Sequence, residues 1–246
     1  MKKINKNKFF DINQFPHQEG ILVFPISISK IGNIQSAKKC FNYIKSIENK
    51  IIKPVIGVNF VYADNLYLYS DEKANKLKNK LQTSINSHKN HFLNILDKNQ
   101  WYIQKSFSFT TWNQLLLESG KFQDYFGRLQ KRYNKDKKFK KYVNEDVKNS
   151  KKKLTKNNIL FILEEILVVY LTTKGKLRLF NEYIQDKEKW ILFCYPGKPL
   201  YSEIYLYQNN FFSFKNSKNK YENCFYDLEE KKLYDFMNVN LETIKL

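Results

Sequence analysis

The sequence has no GxxxxGKS/T phosphate loop, no GxGxxG, no HExxH and no GxSxG elbow. These absences remove the usual nucleotide-binding, zinc-protease and α/β-hydrolase signatures. Histidine is scarce, with His17, His88 and His91 the only three, and none stands at the end of an apolar, strand-length run. A Ser-His-Asp triad would have to draw on them. The three cysteines, Cys40, Cys194 and Cys224, lie far apart without metal-ligand spacing, so a reducing compartment and no metal site are expected. No apolar run reaches transmembrane length, and the first residues, MKKINKNKFFDINQF, hold no signal-like apolar stretch. A soluble, cytoplasmic protein without membrane insertion is the expectation. Acidic residues are also few, 24 against 43 Lys and Arg, for a formal charge of +19. A polyanion or an anionic membrane surface is favoured as partner on this ground.

At 246 residues the chain can bury a sizeable core. It reads as a basic arm over residues 1–19 followed by one domain over residues 20–246. The organising stretch is Gly20 to Asn33, GILVFPISISKIGN. Ile21 to Phe24 with Ile26 form a buried run of strand length, and Ser27, Ser29, Gly32 and Asn33 make a turn cluster. Ile34, Ala37, Phe41, Ile44, Ile47 and Ile51 then recur at helical spacing, placing a helix from about Asn33. Strand, loop and helix are the first half of a βαβ unit. Further strands are read over 55–63, 101–109 and 190–195. Residues 71–96 carry the clearest amphipathic helix, with Leu77, Leu81, Ile85, His88, Phe92 and Ile95 as its apolar stripe. Helices are also expected over 111–133 (weakened at Gly120), 134–153, 159–171 behind a cap at Thr155 or Asn157, and 199–207. Residues 224–228 and 232–237 read as late strands or a packing arm. The fold class is α/β, a parallel sheet flanked by helices.

In such sheets ligands bind beyond the carboxyl ends of the strands. Ser27 stands at one such end, where its hydroxyl would lie near free backbone N–H groups able to hold an oxyanion, or would simply turn the chain. Tyr195 holds the same place on the 190–195 strand. The 159–171 helix, ILFILEEILVVYL, is apolar on every side apart from Glu164 and Glu165, which are unfavourable there unless hydrogen-bonded or functional. One is expected to reach solvent and the other to titrate abnormally. Lys73, Lys76 and Lys80 lie on one flank of the 71–96 helix, and Lys78 and Lys89 on the other. That face is either merely solvated or a phosphate-backbone contact. A serine unaided by histidine needs another proton acceptor, or a substrate that brings its own good leaving group. An aminoacyl ester on RNA is one, and it carries phosphates.

In this order the residues resemble the tRNA-dependent cyclodipeptide synthases. The PIS triplet ending at Ser27, VYAD at 61–64, the lysine-rich helix at 71–96, FILEE at 161–165 and CYP at 194–196 carry the resemblance. It implies a single Rossmann-like domain, similar to class I tyrosyl- and tryptophanyl-tRNA synthetase catalytic domains. It also implies a monomer that uses two aminoacyl-tRNAs in turn by a ping-pong route, with no ATP, metal or other cofactor. Ser27 would be the nucleophile, Glu165 would position the amino group, and Tyr195 would relay the proton. Tyr195-Pro196, with Lys30 three residues after the serine, is similar to the XYP subgroup. Val23, Val61, Trp112, Val168 and Phe193 would line the first aminoacyl pocket, with Trp112 shortening it or serving only as core. Lys73, Lys76, Lys78, Lys80 and Lys89 would hold the RNA. Two positions of the substrate-binding surface depart from the family: Phe161 replaces a usual tyrosine and Pro25 a usual glycine. The alternatives are a basic RNA-binding α/β module without catalysis and an aminoacyl-tRNA-dependent transferase with another acceptor.

Overall fold

The computed structural model describes residues 20–48, 55–64, 74–100, 106–177, 190–215, 219 and 221–245; the 1–19 arm lies outside them. Among the described residues six strands form one sheet: β1 (Gly20–Ile26), β2 (Val55–Tyr62), β3 (Ser106–Thr111), β4 (Trp190–Tyr195), β5 (Cys224–Asp227) and β6 (Lys232–Asp235). Their order is β3-β2-β1-β4-β5-β6, and every neighbouring pair is parallel except the β5–β6 hairpin. The strand order therefore reverses between β1 and β4. In open α/β sheets ligands bind at such a reversal, outside the carboxyl ends of the strands.

Alternation along β1 sends Leu22, Phe24 and Ile26 to one face of the sheet and Val23 to the other. Helices α1 (Ala37–Glu48) and α2 (Ala74–Lys98) close the first face over Phe60, Tyr62, Leu192 and Cys194. Five helices cover the second: α3 (Trp112–Glu118), α4 (Phe122–Lys135), α5 (Lys137–Asn149), α6 (Lys156–Thr173) and α7 (Tyr201–Gln208). Burial on both faces is why the inner strands read as continuous apolar runs. The Thr155 hydroxyl accepts from the Asn158 N–H at the start of α6, and α4, α5 and α7 enclose that helix.

Three boundaries differ from the sequence reading. The first helix begins at Ala37, because Ile28–Lys30 form a 3-10 turn and the Asn33 and Gln35 N–H groups both bond the Lys30 carbonyl. The 111–133 helix is two helices, broken on either side of Gly120. The third strand runs Ser106–Thr111, later than expected, and residues 101–105 lie outside the described set. Two buried polar links fasten the second face. Asp146 of α5 accepts from the Tyr201 and Ser202 N–H groups (2.9 and 2.8 Å) and from the Ser202 hydroxyl (2.5 Å), capping α7 from a neighbouring helix. Lys174, just after α6, pairs with Glu222 at 3.3 Å and donates to Asn223 at 2.8 Å.

Candidate active site

Ser27 leaves β1 in extended conformation, and its hydroxyl does not cap the 3-10 turn that follows. Its Oγ stands 3.1 Å from Ser29 Oγ. The expectation of free N–H groups is corrected for the serine's own amide, which donates to Gln35 Oε1 at 2.8 Å. Gln35 Nε2 donates to the Pro25 carbonyl at 2.6 Å. Pro25 stands beyond Val23–Phe193, where β1–β4 pairing ends, so its missing N–H breaks no bond to β4. Behind this loop, His88 Nε2 lies 3.0 Å from the Gln35 carbonyl and His88 Nδ1 lies 2.8 Å from the Tyr62 hydroxyl. Burial pushes His88 down to about 4, so the ring is neutral. Facing a carbonyl, Nε2 must carry the proton, and Nδ1 accepts from Tyr62. The histidine on the apolar stripe of α2 is thus a hydrogen-bonded core residue.

Tyr195 ends β4 beside the Ser27 loop. Gly197 follows at φ +133°, a conformation that favours glycine, and its N–H donates to Asp227 Oδ1 at 3.3 Å. Pro196, between them, is buried. Lys30 joins the loop to the tyrosine, with Nζ 4.5 Å from the Tyr195 ring centroid. On α6, Phe161, Glu165 and Val168 fall at i, i+4 and i+7, so one helix face carries all three. The half-buried Glu165 carboxylate has no hydrogen bond and no ion pair within 4 Å among the described residues. Burial lifts it to about 7, against the pull of Lys152 and Lys30 and with a further push from Asp146. Lys152 sits on the Phe161 ring, 3.3 Å from its centroid. Burial lowers the pKa of both lysines, and Glu165 opposes the shift in each. Two ring-seated ammonium groups therefore act on one unpartnered carboxylate.

The two roles expected of the pair do not divide between them: Glu164 is 2% exposed, and Glu165, the half-buried one, is also the one whose pKa burial raises. A further carboxylate, Glu203 of α7, accepts from the Leu200 N–H at 3.4 Å and leaves its buried Oε1 without a partner. Burial, then Glu165 and Asp146, push it up to about 8. Sequence reasoning singled out neither Glu203 nor Gln35, Lys152 or Asp146.

Val23, Val61, Trp112, Val168 and Phe193 come together in one buried apolar layer on the α3–α7 face. Trp112 is 2% exposed and opens α3, where Asp64 Oδ1 accepts from the Asn113 N–H at 3.0 Å. Of the α2 lysines, Lys80 is exposed, while Lys89 is half-buried with Nζ 5.2 Å from the Phe109 centroid at the sheet edge. Lys73 lies outside the described residues, as do the side chains of Lys76 and Lys78. A second exposed basic surface runs along α4 and α5 through Lys131, Lys135, Lys137, Lys140 and Lys148. Among the described residues no acidic, histidine or cysteine cluster could hold a metal ion, and no helix is long and apolar enough to cross a membrane.

No family model matches the sequence, and no curated protein does. Among solved structures, the chain is similar to a cyclodipeptide synthase from Fluoribacter dumoffii, at 15% identity over 77% of this chain and 81% of that one, with a TM-score of 0.53. It is also similar to one from Staphylococcus haemolyticus, at 13% identity over 82% and 88%, TM-score 0.53. A third is the cyclodipeptide synthase from Candidatus Glomeribacter gigasporarum bound to Phe-tRNAPhe, at 14% identity over 82% and 86%, TM-score 0.53. The chain has the α/β fold of these synthases.

Proposed function

We propose that the protein is a cyclodipeptide synthase of the XYP subgroup, joining two aminoacyl groups delivered as tRNA esters. The observation that carries this reading is the meeting of three elements at the reversal of strand order. Lys30, in the loop that starts with Ser27, sits on Tyr195 and acts on Glu165. The similar solved structures are cyclodipeptide synthases, one bound to Phe-tRNAPhe, and they support the synthase reading without bearing on the subgroup.

Ser27 Oγ attacks the ester carbonyl of the first aminoacyl-tRNA, and the tRNA hydroxyl leaves with the serine proton. Exchanging one ester for another is nearly thermoneutral, so no ATP is required. Glu165, ionised, holds the amino group of the bound residue. That amine then attacks the second aminoacyl-tRNA, releasing the second tRNA and leaving a dipeptide on Ser27. The dipeptide's free amine closes on the serine ester, forming the 2,5-diketopiperazine. Ser27 regains its proton through Tyr195. The α2 lysines, from Lys73 to Lys89, hold tRNA phosphates. Trp112 shortens the first pocket and favours small side chains such as alanine, at roughly 1–3 kcal/mol per methylene.

Mass spectrometry of medium from an expressing host tests the proposal. A cyclic dipeptide with small side chains, absent with Ser27→Ala, is the expected result. Charged-tRNA binding without product favours the RNA-binding module, and an aminoacylated protein or lipid favours the transferase. A dominant aromatic product contradicts the role given to Trp112.

A further inference from the structure

We infer that Gln35 is the positioning residue of Ser27: its side-chain amide bridges the backbone at Pro25 and Ser27 and fixes where the serine hydroxyl stands. This rests on Ser27 being the nucleophile. The Ser27 N–H can only donate and the Pro25 carbonyl can only accept, so the amide has one possible orientation. Oε1 meets the Ser27 N–H at 2.8 Å and Nε2 meets the Pro25 carbonyl at 2.6 Å. The two bonds grip alternate residues at the strand exit, as a neighbouring strand would.

The clamp is itself held. Gln35 is 1% exposed, and its N–H bonds the Lys30 carbonyl at 3.0 Å. Its carbonyl accepts from His88 Nε2 at 3.0 Å and from the Cys40 thiol at 3.5 Å. Tyr62 of β2 fixes the other His88 nitrogen. A continuous buried chain therefore runs from β2 through α2 to the serine. The titratable groups around the clamp are Tyr62 of β2, Cys40 of α1 and His88 of α2. Burial pushes the first two up and His88 down, so all are uncharged at neutral pH. Among the described residues no histidine bonds the serine hydroxyl, so orientation of that hydroxyl is a large part of what these residues can supply.

The test measures single-turnover acylation of Ser27 by one aminoacyl-tRNA together with hydrogen exchange of the Ser27 amide. In Gln35→Leu, which keeps the bulk and loses both bonds, the acylation rate falls about 100-fold, KM changes less than about twofold, and the Ser27 amide exchanges faster. In Gln35→Glu, an ionised carboxylate accepts from Ser27 but repels the Pro25 carbonyl, whereas the protonated acid satisfies both. Its rate relative to wild type is therefore low at pH 8 and recovers about tenfold or more towards pH 5.5. A wild-type rate in Gln35→Leu overturns the inference. So does a deficit in Gln35→Glu that does not vary with pH, and this arm serves as its own reference if Gln35→Leu does not fold. If wild-type protein forms no Ser27 ester, the proposed function is what fails. The Ser27 amide, slow to exchange in wild type and fast in Gln35→Leu, still decides the clamp, and equal exchange overturns it.

Discussion

The two faces of the sheet treat polar groups in opposite ways. On the α1–α2 face, Tyr62, His88 and Gln35 are uncharged and joined by hydrogen bonds of 2.6–3.0 Å that end on the Ser27 backbone. On the α3–α7 face two carboxylates near the site are incompletely partnered among the described residues: Glu165 has no direct bond, and Glu203 leaves one buried oxygen unmatched. A satisfied neutral network fixes geometry, whereas a desolvated, unpartnered carboxylate stores reactivity. Position and charge thus come to the carboxyl ends of β1 and β4 from opposite faces of the sheet.

The strongest break of this contrast is Glu165→Gln against His88→Phe. Product formation falls roughly 100-fold or more in Glu165→Gln, while Tm holds, because the removed charge was one that burial disfavours. His88→Phe leaves the Tyr62 hydroxyl without its buried partner and the Gln35 carbonyl with only the weak Cys40 thiol donor, which destabilises by about 1–3 kcal/mol. A comparable loss of Tm in Glu165→Gln would erase the distinction.

Stability against pH sharpens it. Asp146 and Glu203 have folded pKa values of about 6 and about 8, above those of the unfolded chain, so the folded state binds their protons more tightly. The stability they contribute is complete below the unfolded pKa and is lost as pH rises through 6 and then 8. Calorimetry should show Tm falling by on the order of 5 °C between pH 6.5 and 8.5, and much less in Glu203→Gln. On the other face His88, held down to about 4 against an ordinary 6.5, works the opposite way: its contribution makes stability rise from pH 4 to 6.5 and is flat above.

The smallest effect is electrostatic tuning. If the reaction needs ionised Glu165, its rate rises with pH through about 7. Lys152 holds that carboxyl down, so Lys152→Met moves the acid limb to higher pH. The rate then drops about threefold at pH 6.5 and hardly at all at pH 8.5. An unshifted profile would remove Lys152 from the site.

The inner strands, the all-apolar α6 and the two strand-end residues Ser27 and Tyr195 were legible because burial on both faces leaves long apolar runs with abrupt polar ends. Glu165 was legible as a carboxylate inside such a run. His88 was read as part of an apolar stripe because periodicity records which face a ring occupies, and not what its nitrogens meet. Gln35 lies in a loop without periodicity, eight residues from the amide it holds. Lys152 stands among lysines from which nothing local distinguishes it. The start of α1 was misplaced because the 3-10 turn and its successors keep helix-like apolar spacing through Ile34 without forming the helix.

The most direct test of the central claim is covalent. One charged tRNA is mixed with Tyr195→Phe, in which the final proton transfer is impaired, and the intact protein is weighed. The expected result is one added aminoacyl mass, mapped to residues 21–30 on Ser27 and absent in Ser27→Ala. Ser29, 3.1 Å away from the Ser27 hydroxyl, is the natural rival, and an adduct there would move the nucleophile by two residues. No adduct on any residue, in a protein whose wild type still makes the cyclic dipeptide, would contradict the acyl-enzyme route.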